Sequence, residues 1–163
     1  MFNFFKKKKN DEKKVSIASP VNGKVVKLEE VPDPVFAEKM VGDGFAVIPS
    51  DGEVFAPVSG EVTLQPDGYH AIGIKTDEGI EVLVHFGLET VELKGDGFTP
   101  HIKVGDRVNK GDKVLSVDIE KIKDKVPSLI TPCIVANLEA NTLSEINFDA
   151  NCGDEVKTVT IVE

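Results

Sequence analysis

From Val15 onward the chain alternates short apolar runs, rich in Val and Ile, with clusters of Gly, Pro, Asp and Asn. The runs are 21–28, 45–49, 60–64, 71–75, 80–86, 114–117 and 156–162. Runs of this length, bounded by turn residues, predict an all-β sandwich or barrel. No segment sustains a 3.6-residue period long enough to compete. Two short helices are predicted. Asp33 is a good N-cap and Pro34 is tolerated at the first helical position, so one helix covers about 34–39. The other follows Asp118, with Ile119, Ile122 and Val126 on one face and Pro127 behind it.

The chain is faintly similar to itself. PVNGKVV at 20–26 matches PVSGEVT at 57–63, and GDGF at 42–45 returns at 95–98. The offsets, 37 and 53 residues, disagree, which argues against a simple tandem repeat. Two related β motifs intertwined in one domain fit the pattern.

Composition narrows the function classes. A chain of 163 residues suits one domain, here 15–163, and buries roughly two thirds of its unfolded surface without staples. Two cysteines, Cys133 and Cys152, with no CxxC, form neither a disulfide framework nor a structural zinc pattern, and read as reduced cytosolic thiols. Residues 1–14 hold six lysines against Asp11 and Glu12, a balance of +4; with −9 for the whole chain, the rest carries −13. That acidic body excludes nucleic acid as a partner. Nothing resembles a membrane span or a secretory signal, so the expected location is the cytoplasm. The basic segment 1–14 reads as a flexible, solvated tail. Contact of its Phe2, Phe4, Phe5 and lysines with an anionic membrane surface is the other reading.

The chemistry concentrates in histidines. Of three, His70 and His85 lie on the two arms of an expected hairpin, HAIGIKT (70–76) and GIEVLVHFG (79–87). A two-residue turn at Asp77-Glu78 places His70 directly opposite His85, at roughly 5 Å between Cβ atoms. A loop shifted by one residue, or one of four residues, places them diagonally on one face. A three-residue loop places them on opposite faces. Val84, Phe86, Gly87 and Leu88 surround His85 with apolar groups and no nearby cation, which disfavours imidazolium and leaves a nucleophilic ring. Such a ring can take a phosphoryl group covalently, with the second imidazole donating to a phosphoryl oxygen and backbone amides helping near Gly87.

Other readings of the pair exist. They can be ordinary strand histidines, or half of a tetrahedral zinc site completed by His101 or Glu81. A zinc peptidase needs about three ligands and an open position, but no H-x-H occurs and residue 74 is Ile. A biotinyl-type carrier at Lys39 conflicts with the helix signal from Pro34. His101, in FTPHIKVGD, reads as a solvated turn histidine.

GIEVLVHFGLETV (79–91) closely resembles the phosphorylation-site signature of glucose-type enzyme IIA proteins of the bacterial phosphoenolpyruvate-dependent sugar phosphotransferase system. VPDPVFAEKMVGDG (31–44), HAIGIKT (70–76), VELKGDGF (91–98) and LITPCIVAN (129–137) resemble further stretches of that family, in order along nearly the whole chain after the tail. The resemblance implies an antiparallel β sandwich or barrel and a phosphotransferase intermediate that needs no cofactor. It implies that the histidine-containing phosphocarrier protein loads Nε2 of His85, and that the phosphate passes to a cysteine of a IIB permease domain during glucose-type sugar uptake. His70 would serve onward transfer. Apolar residues matching the family's docking face are Val35, Phe36, Met40, Val41, Ile72, Phe86 and Val91, with Asp33 and Glu89 as an acidic rim. Some relatives also regulate other proteins, sharing a zinc ion with a partner at the two histidines. One position departs. Several members carry Thr two residues before the first histidine, bonded to its ring; here Gly68 stands there, so a backbone carbonyl, the Tyr69 region or water must orient His70.

Overall fold

A computed structural model describes residues 13–162 and is almost wholly β. The expected tail therefore lies outside the described residues, apart from its last two, and Lys14 already opens a strand. The strands are β1 (Lys14–Ala18), β2 (Gly23–Lys27), β3 (Asp43–Pro49), β4 (Glu53–Phe55), β5 (Gly60–Leu64), β6 (Ala71–Lys75), β7 (Glu81–His85), β8 (Phe98–Pro100), β9 (Arg107–Val108), β10 (Lys113–Val117), β11 (Thr131–Val135), β12 (Thr142–Leu143) and β13 (Glu155–Thr160). They form a seven-stranded sheet, β2-β3-β11-β7-β6-β5-β9, and two three-stranded sheets, β1-β13-β12 and β4-β10-β8. Every ladder is antiparallel. The all-β expectation holds, and all seven apolar runs become strands.

Period-two alternation divides the large sheet between two cores. In β6 and β7, Ile72, Ile74, Val82 and Val84 turn to one face and join the main core with Phe45, Val47, Phe86 and Phe98. The other face of β7 carries Leu83, which packs against a smaller cluster of Leu28, Phe36, Leu88, Ile130 and Ile134. His85 shares the face of Leu83, so the sheet delivers it to the smaller cluster. There Phe36 waits on the first helix.

That helix spans Pro34–Ala37. The Asp33 carboxylate accepts the Val35 N–H at 3.0 Å, and Pro34 fills the first turn without losing a needed donor. It ends before the expected Lys39 because that residue takes a left-handed conformation, φ 60°. The second helix, Ile119–Ile122, is capped by Asp118 and anchored by buried Ile122. It stops short of Val126, since Lys123, Asp124 and Lys125 are exposed and give a further turn nothing to bury.

The internal similarity has a structural counterpart. Ala18 N–H donates to Pro57 C=O, and Phe55 N–H, 37 residues on from Ala18, donates to Pro20 C=O. Ser19 N–H donates to Asp154 C=O, as Ala56 N–H donates to Asp112 C=O. The acceptor turns are themselves alike: Asn109-Lys110-Gly111-Asp112 and Asn151-Cys152-Gly153-Asp154 each close with the aspartate side chain accepting the asparagine N–H. Two like motifs thus exchange bonds crosswise, the intertwined arrangement that the PVNG and PVSG segments suggested.

Candidate functional site

The β6–β7 hairpin differs from both favoured registers. Ala71, not His70, lies opposite His85, and Lys75 lies opposite Glu81. The loop is the three-residue one, Asp77-Glu78-Gly79, closed by Gly79 N–H to Thr76 C=O at 2.9 Å and by Thr76 N–H to Ile80 C=O at 2.9 Å. Gly79 has φ 94°, the left-handed geometry such a loop requires. On regular strands this register would separate the two histidines. They meet nonetheless, ring centroids 5.1 Å apart and planes at 72°. The cause is local. His70 precedes the strand, and Tyr69, at φ 61°, turns the backbone out of the pleat. The His70 carbonyl still accepts the Phe86 N–H at 2.8 Å, so the displaced residue remains tied to the end of β7.

His85 stands at that end, half-buried. Its ring is flanked by His70 and by Phe36, whose centroid is 5.2 Å away. Nδ1 lies 2.8 Å from the Gly87 carbonyl oxygen. A carbonyl only accepts, so Nδ1 carries the proton and the lone pair of the neutral ring sits on Nε2. The acceptor is itself pinned. Leu88 N–H donates to Ser128 C=O at 2.9 Å, and the buried Thr90 hydroxyl donates to Phe86 C=O at 2.8 Å. Gly87 has φ 73°, and a Cβ there would stand 2.8 Å from Thr90 Cγ2 and 3.2 Å from Ser128 O. Only glycine fits this turn. Sequence reasoning missed Thr90, which no motif of chemistry-bearing residues marks. Continuing the β11–β7 register would set Pro132 opposite His85, but pairing stops at Cys133–Val84, where proline has no N–H to give.

Burial pushes both imidazoles below their ordinary pKa. For His85, desolvation outweighs the Gly87 hydrogen bond and the Asp33 carboxylate, which favour the cation. For His70, desolvation is joined by the neighbouring His85. In a His with a lowered folded pKa, the unfolded chain binds more protons below about pH 6.5. Stability is then full above that pH and lost as pH falls through it toward the depressed values. Urea unfolding midpoints should be lower at about pH 5.5 than at about pH 7.5. The drop should shrink in a His70→Gln, His85→Gln double variant; an equal drop would deny the linkage to this pair.

The residues matched to a docking face divide. Val35, Met40, Val41 and Val91 are exposed, as is Glu89, and Asp33 is half-buried. Phe36 is buried but lies against the His85 ring. Ile72 and Phe86 are corrections: at 4% and 0% exposure their side chains belong to the main core and offer a partner no surface.

His101 sits apart, beyond β8, exposed as expected but bonded: Nε2 is 2.7 Å from Ser116 Oγ, whose hydroxyl donates to Glu53. Both cysteines are free, and burial pushes their thiols up. Among the described residues no three His, Cys, Asp or Glu side chains gather as metal ligands, so neither His101 nor Glu81 completes a zinc set with the pair. Among the described residues no helix is long and apolar enough to cross a membrane.

Residues 15–141 match the family model described as phosphoenolpyruvate-dependent sugar phosphotransferase system, EIIA 1. A "PTS system glucose-specific EIIA component" of Halalkalibacterium halodurans is 49% identical over 142 residues, covering 85% of this chain and 82% of that protein. One of Staphylococcus aureus is 40% identical over 158 residues, covering 96% and 95%. The solved structure of glucose permease IIA from Mycoplasma capricolum superposes with a TM-score of 0.86 at 39% identity, covering 90% of this chain and 96% of that one.

Proposed function

The chain belongs to the phosphoenolpyruvate-dependent sugar phosphotransferase system EIIA 1 family, and from that premise we propose that its phosphoryl group rests on Nε2 of His85. It is a phosphotransferase intermediate of the glucose-type system. The zinc-module alternative finds no support in its relatives. Membership implies two kinds of partner, a phosphocarrier that loads it and a IIB domain that unloads it. The observation that carries the assignment to His85 is the Nδ1–H to Gly87 hydrogen bond, because it leaves Nε2 as the lone pair.

The steps balance simply. The His85 Nε2 lone pair attacks the phosphorus of a phosphohistidine donor. The new N–P bond forms as the old one breaks, and its electron pair returns to the donor ring. Throughout, Nδ1–H stays on the Gly87 carbonyl, which disperses the positive charge that the ring gains. In delivery, a cysteine thiolate of the IIB domain attacks the same phosphorus, and the N–P electron pair returns to His85. Such transfers depend mostly on position and electrostatics. Exposed Val35, Met40, Val41 and Val91 supply an apolar collar that excludes water from the phosphoryl bond when a partner docks. Asp33 and Glu89, on an acidic chain, steer a basic phosphocarrier. Location in the cytoplasm follows from these partners.

Incubation of the purified chain with phosphoenolpyruvate, enzyme I and the phosphocarrier tests the assignment. One phosphate per chain should appear, stable in alkali and labile in acid as a phosphoramidate is, with peptide mapping placing it on His85. Phosphate on His70 or His101 instead would overturn the reading.

A further inference from the structure

Lys157 is the one lysine among the described residues that is not exposed. Strand register is the reason. On β13 it lies opposite Ile17 of β1, and the neighbouring pair on that face, Val15 and Val159, is buried in the main core with Ile17. Cross-strand partners share a face, so Lys157 holds an inward position of its sheet. It lines a cleft of about 290 Å³, where β13 and the segment after β12 face the ends of β2 and β3. Lys27, Glu29, Lys39, Asp43 and Glu145 line the same cleft. Glu29 and Asp43 are engaged with Lys39, at 3.5 and 3.7 Å. Among the described residues no carboxylate comes within ion-pairing distance of the Lys157 amine. Burial pushes that amine below its ordinary pKa, helped by Lys39 and against the pull of Asp43, Glu29 and Glu145.

We propose that Lys157 Nζ is an acylation site whose acyl donor is a small acyl phosphate. The position supplies what the reaction needs. The side chain lines an open cleft, and no ion pair among the described residues holds it as a cation. Lysine becomes a nucleophile when it is desolvated or set beside another cation, and here both conditions are met. Lys27, exposed on the same cleft and without an ion pair among the described residues, is the cation that receives the phosphate. The Nζ lone pair attacks the carbonyl carbon of the donor. The C–N bond forms as the bond from that carbon to the phosphate oxygen breaks, and its electron pair leaves with the phosphate. A proton passes from the nitrogen to the departing phosphate, so the products are an amide and hydrogen phosphate. The product suits its seat, because a neutral amide replaces a cation at an inward strand position. Nothing in the reaction involves the two histidines of the phosphoryl site.

Acetyl phosphate is the probe, incubated with the full unphosphorylated chain at about pH 7.5. Mass spectrometry of timed digests gives an acetylation rate for each lysine of residues 13–162. In the folded chain Lys157 should react at least about fivefold faster than any other of these lysines. In denaturing urea that lead should vanish, because the cleft is gone. Lys27→Ala should slow acetylation of Lys157 by about threefold and leave the other lysines unchanged. Acetic anhydride carries no phosphate, so with it Lys157 should still lead and Lys27→Ala should make no difference. A Lys157 that reacts no faster than the exposed lysines overturns the proposal. So does a lead that survives in urea, since it would then belong to the local sequence and not to the cleft. If Lys157 leads with acetic anhydride but not with acetyl phosphate, or if Lys27→Ala slows both reagents alike, the amine is reactive but an acyl phosphate is not its donor, and the proposal falls.

Discussion

Replacing His85 by Gln or Ala is expected to bring phosphoryl labelling down to background, a loss of at least about a thousandfold. No other group at the site can inherit the role. His70 is too buried to offer a phosphorus atom an in-line approach, and His101 lies beyond β8 with Nε2 engaged to Ser116. The cysteines are poor substitutes too. Cys133 is in the core and Cys152 is held protonated by burial. The substitution should also be tolerated by the fold. His85 ends its strand, is half-buried, and forms one side-chain hydrogen bond, to Gly87. Circular dichroism and urea unfolding at about pH 7.5 should therefore show a folded chain, with a change in stability of about 1 kcal/mol in either direction. A folded His85→Ala protein that still accepts phosphate at a tenth of the native rate would move the acceptor elsewhere.

Much of this site could be read before any coordinates, but for reasons that differ from residue to residue. The strands at 60–64 and 71–75 were legible because β-branched runs stood between clear turn residues. The short strands β4, β8, β9 and β12 were not, since two or three residues carry no period. β11 was legible only through the resemblance of 129–137 to the family's late strand, because Pro132 argues against a central strand until one sees that its pairing with β7 begins a residue later. The crosswise bonds of the two motifs had a second sequence trace, the pair of Asn-x-Gly-Asp turns at 109–112 and 151–154, whose offset of 42 differs from the 37 between the PVNG and PVSG segments.

The hairpin is the more instructive case. Gly79 was the available signal for a three-residue loop, because a glycine at the third loop position supplies the left-handed residue that such loops need. That reading would have set the histidines on opposite faces and discouraged the pairing of their rings. What rescues the pair is Tyr69 at φ 61°, a conformation that no propensity assigns to tyrosine. Right partners were thus expected for the wrong geometric reason. Ile72 and Phe86 failed in the opposite way. Alternation along β6 and β7 already assigned them to the face of Ile74, Val82 and Val84, and family matching overrode it.

His70→Gln should separate the two half-reactions. Labelling of His85 is expected to stay within about tenfold of native, while delivery to a IIB cysteine falls by about a hundredfold or more. The asymmetry comes from charge. In loading, a neutral imidazole attacks and a neutral imidazole leaves, so little negative charge gathers beyond that of the phosphoryl oxygens. In delivery an anionic thiolate must approach those same oxygens, beside the apolar Phe36 ring and, among the described residues, with no lysine or arginine acting on the His85 ring. A donor aimed at the oxygens matters most where two negative charges converge in a desolvated space. His70 is the side chain whose ring touches that of His85 from the other side, and it stays neutral, so it can give a hydrogen bond without adding a charge that would hold the phosphoryl group back. Glutamine keeps an N–H but loses the planar reach and the fixed seat of the ring. Single-turnover transfer from pre-labelled protein to a purified IIB domain, run beside the loading reaction, measures both rates. Equal losses in the two steps would show His70 to be a packing residue of the His85 ring and not the group that answers the incoming thiolate.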